Sequence, residues 1–494
     1  METPSERHSS RDSSPVELVK GLGLFDSTTI VMGSMIGSGV FIVAADVARQ
    51  VQSPGLFLLA WVFSGLMTVT AAVTYGELAA MMPKAGGQYI YLREAFGPLF
   101  GFLYGWTLFL VIQTGTLAAV AVAFGKFLGF FFPAISPQVL LLNVGNVKVF
   151  GHTIALTFSS EQLVAVLALL LLSGVNIFGL RLGAWVQNIF TTLKVGALAG
   201  FVALGFFWMT RHAPVHAAHQ SVWSGVDWGL APLTLVAAAM VGPLFSSDAW
   251  NNITFAGGEV INPKRNIPLA LFLGTTFVCT VYLACNWVYL RVLPFYGTPA
   301  GAGPLERGIQ YAAQDRVATA AVQVMLGGQG AGLMAAAILI STFGCMNGMI
   351  LAGARVYYAM ARHGLFFPSV GKVSSKYRTP AVSLAVQAVW AALLTLTGTY
   401  SELLDYVIFA VVLFYILTVV GVFQLRRTRP DARRPYRAWG YPILPALYVV
   451  CALVVEWALL THKPLRSVAG LAIVALGIPV YYLWRRRNPA AGPS

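Results

Sequence analysis

Two ionisable residues, Lys194 and Asp248, sit inside long apolar runs of this sequence. A charge within a bilayer costs on the order of 2.5–3.5 kcal/mol on insertion scales, so it normally faces a partner or water. Lys194 falls about ten residues into its run, near mid-depth, with no other charge beside it. Such a lysine either exchanges a proton as the protein works or serves as a permanently charged strut. Asp248 lies in Phe245-Ser246-Ser247-Asp248-Ala249-Trp250, where a second apolar run loses its helical character. It could meet an ammonium or basic group, take up a proton, or hydrogen-bond freed backbone amides. The third candidate is Gly33-Ser34-Met35-Ile36-Gly37-Ser38-Gly39-Val40-Phe41. Glycine exposes the peptide group and leaves helical geometry at little cost. In lipid an unpaired N–H or C=O costs several kcal/mol, so a broken helix survives only beside a cavity or inside protein. Either this break is a mid-membrane binding site, or Gly33 and Gly37 form a small-xxx-small helix contact.

The elements that position these residues follow from hydropathy. The chain has 494 residues, 57% hydrophobic and 10% charged, whereas a soluble chain carries about a quarter charged residues. The expectation is an all-α polytopic membrane protein. Twelve spans are read at about 24–49, 56–81, 97–131, 160–179, 184–209, 231–260, 268–294, 330–361, 380–398, 402–425, 443–461 and 465–484. Residues 1–20 read as a disordered tail. The net charge of +14 is concentrated on one side of the spans, including Lys264, Arg265, Arg355, Arg362 and the runs at 426–437 and 485–487. Under the positive-inside rule both termini are cytoplasmic, and the basic excess marks orientation and not nucleic acid binding. The segment at 132–159 reads as a polar, glycine-bearing outer loop, and His212, His216 and His219 as exposed histidines, not a metal site. Cys279, Cys285, Cys345 and Cys451 all fall in apolar runs, so no disulfide framework is expected.

The two breaks matter together. The sixth span runs apolar from Leu230 to Leu244, breaks at Phe245–Trp250 and resumes toward Gly258, five spans after the first break. An odd number of crossings reverses direction, so spans 1–5 and 6–10 read as an inverted repeat. Paired discontinuous helices in such repeats place a binding site where the halves meet. The expected organisation is 21–209 for the first repeat, 210–425 for the second, and 426–494 for two further helices and a cytoplasmic tail. At the break, the helix starting at Ser38, Gly39 and Val40 presents donors and partial positive charge to a carboxylate. The carbonyls of Met35 and Ile36, and those around Phe245 and Asp248, suit an ammonium group.

The sequence resembles the amino acid–polyamine–organocation superfamily, in particular its L-type amino acid transporter-like branch. The resemblance is carried by Ile36–Phe41, Tyr75–Leu78, Pro83–Tyr89, Trp250–Asn252, Gly258–Pro268, Ser341–Gly348, Arg355–Arg362 and Arg434–Arg437, in order along the chain. It implies a leucine-transporter-type fold of 12 helices, with a 5+5 inverted repeat and discontinuous helices 1 and 6. It implies secondary transport of neutral L-amino acids by alternating access, as exchanger or proton-coupled symporter. Met35, Ile36, Ser38, Gly39, Val40, Phe245, Ser247 and Asp248 would bind substrate, and Phe245 would gate it. Asp248 departs from many relatives, which have a small residue there. Lys194 would stand where sodium-coupled relatives bind an ion, near Ser341, which disfavours sodium coupling. Light chains of this branch use an outer-loop cysteine to hold a heavy subunit. None lies in 132–159, so no disulfide-linked subunit is expected, and a bacterial inner membrane is. A polyamine, amine or cationic amino acid carrier and an amino acid-sensing receptor are the alternatives. No catalytic motif, metal site or cofactor is expected: Walker loop, HExxH and nucleophile elbow are all absent.

Overall fold

A computed structural model describes residues 20–149, 152–212, 223, 226, 229–396 and 400–487. The tail before residue 20, His216 and His219 lie outside the described residues. Among the described residues the regular structure is helical apart from one hairpin. In order its helices are α1 (Leu24–Met35), α2 (Gly39–Val51), α3 (Pro54–Met81), α4 (Gln88–Phe96), α5 (Pro98–Thr107) and α6 (Gln113–Leu128). After the hairpin come α7 (Ser160–Ile177), α8 (Leu180–Met209), α9 (Leu230–Ala239), α10 (Val241–Ser246), α11 (Asn252–Phe255), α12 (Pro263–Val292) and α13 (Pro304–Arg307). The last six are α14 (Val317–Leu326), α15 (Gly328–Arg362), α16 (Ala381–Leu394), α17 (Tyr400–Thr428), α18 (Ile443–His462) and α19 (Pro464–Arg487).

Among the described residues, ten segments are long and apolar enough to cross a bilayer. The sixth and ninth spans read from the sequence correspond to shorter helices, Leu230–Ser246 and Ala381–Leu394. The first span is the centre of the assembly. About 89% of its apolar window is buried in protein, against 28% for the span ending at Arg486. α1 packs against α8, α12 and α15, while α2 packs against α9, α10 and α14. The peripheral α18 turns Val450, Leu453 and Trp457 outward, as a lipid-facing surface requires.

Local chemistry explains the boundaries. Proline opens α3, α5 and α12, where a missing N–H removes nothing from the helix. Ser159 and Gln162 close a reciprocal capping box at the start of α7. The third span, read at 97–131, runs Pro98–Leu128 and carries an irregular turn within it. Gly97, at φ 98°, separates the amphipathic α4 from α5, and a π-helical turn at Leu108–Ile112 joins α5 to α6. There the Thr114 hydroxyl donates to the Phe109 carbonyl at 2.6 Å, satisfying a group that the wider turn frees.

Within the connection at 132–159, read as an outer loop, the chain forms an antiparallel hairpin, β1 (Leu140–Val149) with β2 (His152–Ser159). Its register pairs Asn143 with Thr157 and Val147 with Ile154. The alternation of Ile154, Leu156 and Phe158 with polar or small residues has strand period, a signal outweighed in the sequence reading by the glycines and polar residues around it. All four cysteines are free thiols, Cys451 being only partly buried.

Candidate functional site

The first break is short and fully provisioned. α1 ends at Met35, Ile36 turns out of helical geometry at ψ 90°, and α2 restarts at Gly39. The last carbonyls of α1 have no helical amides to receive, so side chains from three other helices cap them. The Lys194 ammonium of α8 donates to the Gly33 carbonyl and, at 2.7 Å, to that of Ile36. The Cys345 thiol donates to the Ser34 carbonyl at 3.0 Å, and the Tyr282 hydroxyl to the Met35 carbonyl at 3.0 Å. The Ser341 hydroxyl lies 3.2 Å from the Ile36 carbonyl and 3.1 Å from that of Gly37. Lys194 is 1% exposed and makes no ion pair among the described residues. Its positive charge is therefore spread onto two backbone carbonyls, at the negative end of a half-helix.

The Met35 carbonyl is thus engaged once and the Ile36 carbonyl faces two donors, so an ammonium ligand would share the second lone pair of Met35 or displace a donor at Ile36. On the other side, the first amides of α2, at Gly39 and Val40, have no carbonyl partner within the helix. Of the two residues, Gly39 lines a cavity of about 10 Å³ together with Gly37, Ser38, Phe245, Asp248 and Cys345, among others. That is about the space of one water molecule.

The second break brings its polar groups to the same point. α10 ends at Ser246, and Ser247–Asn251 form a non-helical turn before α11. Ala249 adopts φ 63°, a left-handed conformation that costs a non-glycine residue energy and persists only where surroundings impose it. Trp250, 1% exposed, supplies those surroundings, its ring 4.7 Å from that of Tyr75 and 5.2 Å from that of Tyr415. The two breaks touch directly: a Cβ on Gly39 would lie 2.3 Å from Ser246 Oγ and 2.8 Å from Ser246 Cα. Only glycine allows this approach.

Asp248 receives the Tyr415 hydroxyl of α17 at 2.6 Å and lines two cavities. The second cavity, of about 20 Å³, is shared with Ser247, Trp250, Tyr415 and Tyr448. Phe245, 6% exposed, lines the first cavity, whereas Ser247 lines only the second. Met35, Ser38, Gly39, Phe245 and Asp248 therefore converge, with Lys194 and Ser341 directly behind the first break. Ile36 faces Lys194 and Ser341 through its carbonyl, and the Val40 carbonyl accepts from Tyr289 at 3.2 Å.

Other polar residues of the spans have structural partners. Asn286 donates to its own helix at Tyr282, and Gln113 bridges to the Met349 carbonyl. Glu77 and Glu259 do form ion pairs at helix ends, though not with Arg265 or Arg362, which are exposed. Arg355 binds Glu259 at 3.0 Å with both side chains 1% exposed. Arg426 and Arg434 converge on Glu77. Tyr282, Cys345 and Tyr415 escaped the sequence reading because each is an ordinary buried residue of an apolar helix until the fold aims it. Of the histidines, His212 stacks on Trp208. Among the described residues no group of three or more metal-ligating side chains gathers.

Residues 22–478 match the family described as Amino acid permease. The chain is 31% identical to the mouse (Mus musculus) Large neutral amino acids transporter small subunit 2, over 98% of this chain and 84% of that protein. It is 28% identical to the Serine/threonine exchanger SteT of Bacillus subtilis (strain 168), over 95% of this chain and 98% of that one. It is 27% identical to the mouse b(0,+)-type amino acid transporter 1, over 95% and 90% respectively. A match of this reach, over a chain whose two broken helices meet inside a bundle of membrane-length helices, leaves one assignment: the protein belongs to the amino acid permease family of the amino acid–polyamine–organocation superfamily, on its L-type transporter-like branch.

Proposed function

We propose that this protein is a sodium-independent secondary transporter of neutral L-amino acids, working by alternating access as an exchanger or with protons. The names of its relatives support amino acid transport, and that of SteT supports exchange. The observation that carries the reading is the meeting of two interrupted helices at one point, with the Lys194 ammonium behind it on the Gly33 and Ile36 carbonyls. A zwitterion fits this arrangement. Its carboxylate takes the free amides at Gly39 and Val40, and its ammonium shares the carbonyls of Met35, Ile36 and Phe245 with Asp248 nearby. Phe245 closes over it, and Ser247 and Asp248 read its side chain. Lys194 occupies the place of a coupling cation and Ser341 steadies the break. A cavity the size of one water must widen before an amino acid enters, which suits a closed stage of an alternating cycle.

In this reading the molecule has 12 spans. Residues 21–209 and 210–425 are inverted repeats, and residues 426–494 carry two peripheral helices and a tail. Both termini face the cytoplasm, and the location is a bacterial inner membrane. The mouse relative is named a small subunit. In this chain the cysteines lie in α12, α15 and α18, away from the hairpin, so we assign no disulfide-linked heavy subunit. Neither enzymatic activity nor a cofactor belongs to the reading. A second reading, an amine or cationic amino acid carrier, is favoured by one observation: a carboxylate, Asp248, borders both cavities.

Counterflow in proteoliposomes tests both. Preloaded neutral amino acids should drive uptake of labelled neutral amino acids without sodium. Preference for amines or lysine would select the second reading. Binding without any accumulation would reject transport and leave a sensor.

A further inference from the structure

A line of polar side chains runs between α1 and α8 from the start of α1 to the foot of Lys194. At its exposed end the Asp26 carboxylate, partly buried, accepts from Asn188 Nδ2 at 2.7 Å and from the Gly23 amide at 2.9 Å. Thr29 donates to Asn188 Oδ1 at 2.5 Å. Thr191 lies 3.3 Å from the Thr29 carbonyl, and Gln187 donates to Thr191 at 3.2 Å. Both Gln187 and Thr191 press on Gly33: a Cβ there would lie 1.9 Å from Gln187 Nε2 and 2.4 Å from Thr191 Oγ1. The carbonyl of that same Gly33 receives Lys194. Ser34 Oγ is buried with no hydrogen-bond partner, and it flanks Gly348 together with Gln187.

The spacing explains the line. Asp26, Thr29 and Gly33 fall on one face of α1, and Gln187, Thr191 and Lys194 on one face of α8. Helix contacts in a bilayer need small residues or one polar bridge. A file of five polar side chains ending at a buried cation exceeds that need, and intramembrane polar files mark ion and proton routes. Other titratable groups near the file are few. Cys345 of α15 and Tyr282 of α12 cap the same break, and Lys20, Lys264 and Arg265 are exposed at the chain ends flanking α1. Glu259 is occupied by Arg355. Asp26 itself makes no ion pair among the described residues.

We propose that the α1–α8 seam is the cytoplasmic proton exit for Lys194, with Asp26 as the acceptor at its mouth. It rests on the proton-coupled form of the function proposed above. When the inner half of α1 moves, water enters at the unpartnered Ser34 hydroxyl. The Lys194 ammonium passes one proton to that water and becomes a neutral amine. The hydroxyls of Thr191 and Thr29 hold the water file, and the Asp26 carboxylate takes the proton as a carboxylic acid before losing it to the cytoplasm. Asn188 and Gln187 orient this file and do not carry the proton.

The experiment reconstitutes the full chain and compares two readouts. One is amino acid uptake driven by an imposed pH gradient, with lumenal pH followed by a trapped dye. The other is counterflow at equal pH, which needs no net proton release. Asp26→Asn and Thr191→Val should each lower pH-driven uptake about tenfold or more while counterflow stays within about twofold. Asp26→Glu should restore uptake. Equal loss of both readouts in Asp26→Asn and Thr191→Val would reduce the seam to packing and overturn the proposal. So would gradient-driven uptake that is lost in Lys194→Ala but intact in Asp26→Asn, and that result leaves the coupling role of Lys194 standing. Wild-type uptake that an imposed pH gradient does not drive, with lumenal pH unmoved and counterflow intact, would overturn both the seam and the coupling role of Lys194 and leave an exchanger.

Discussion

Lys194 binds two carbonyls that no amide of α1 can reach, so its removal acts on the site before it acts on the fold. Lys194→Ala leaves those carbonyls uncapped, with hydrogen bonds to a charged group lost at about 1.5–3 kcal/mol each. We expect transport at least about tenfold lower and a flattened pH profile. An unchanged rate and profile in proteoliposomes would remove Lys194 from the mechanism. Gly39 makes the opposite test, by addition. In Gly39→Ala the new methyl meets Ser246 Oγ and backbone, so the breaks must part. Uptake should fall at least about tenfold, since atoms packed to solid density yield little. Protein yield and elution volume should stay near wild type. Asp248→Asn keeps an acceptor for Tyr415. If Asp248 contacts substrate, selectivity between neutral and cationic amino acids shifts; unaltered selectivity would leave it supporting the turn at Ala249.

At the scale of elements, the buried ion pairs fasten helix ends that the spans alone would not hold. Arg355 of α15 reaches Glu259, just beyond α11, and each is desolvated. Arg355→Ala strands an unpaired carboxylate and should destabilise by about 3–5 kcal/mol, read as lower thermal stability in detergent. A second junction joins α4 to the end of α15, where the Tyr89 hydroxyl and His363 Nδ1 lie 3.1 Å apart with stacked rings. Burial, reinforced by Arg93 and Lys84, pushes His363 down to about 4. An unfolded histidine titrates near about 6.5, so between those values unfolding takes up a proton. This share of stability is complete above about pH 6.5 and is lost as pH falls toward about 4. The wild-type melting temperature should drop over that interval, and His363→Gln should drop less.

For the whole molecule, much of the plan is written in the sequence. Membrane-length apolar runs set the helices. The glycines and serines at 33–39 and the polar hexapeptide at 245–250 disclose both breaks, because a bilayer tolerates such residues only for a reason. The partners of those breaks were not legible. Tyr282, Cys345 and Tyr415 are 247, 311 and 167 residues from the groups they bind, and nothing local marks a tyrosine that will cap a carbonyl. The hairpin after α6 was missed for another reason: its alternating pattern is short and interrupted by glycine and asparagine. The third span concealed its π turn, since one extra residue per turn leaves hydropathy unchanged.

Just before α1, the amides of Gly21 and Leu22 donate to the Glu259 carbonyl at 2.9 and 3.0 Å, and Ile261 donates back to Leu22 at 2.8 Å. This scrap of parallel ladder staples the start of the first broken helix to the tail of the second. With the Gly39–Ser246 contact it makes the pair one rocker arm, gripped at its pivot and at its foot. Deuterium uptake at Leu22 and Ile261 then counts each unstapling, and substrate that cycles the arm should quicken exchange there ahead of α18.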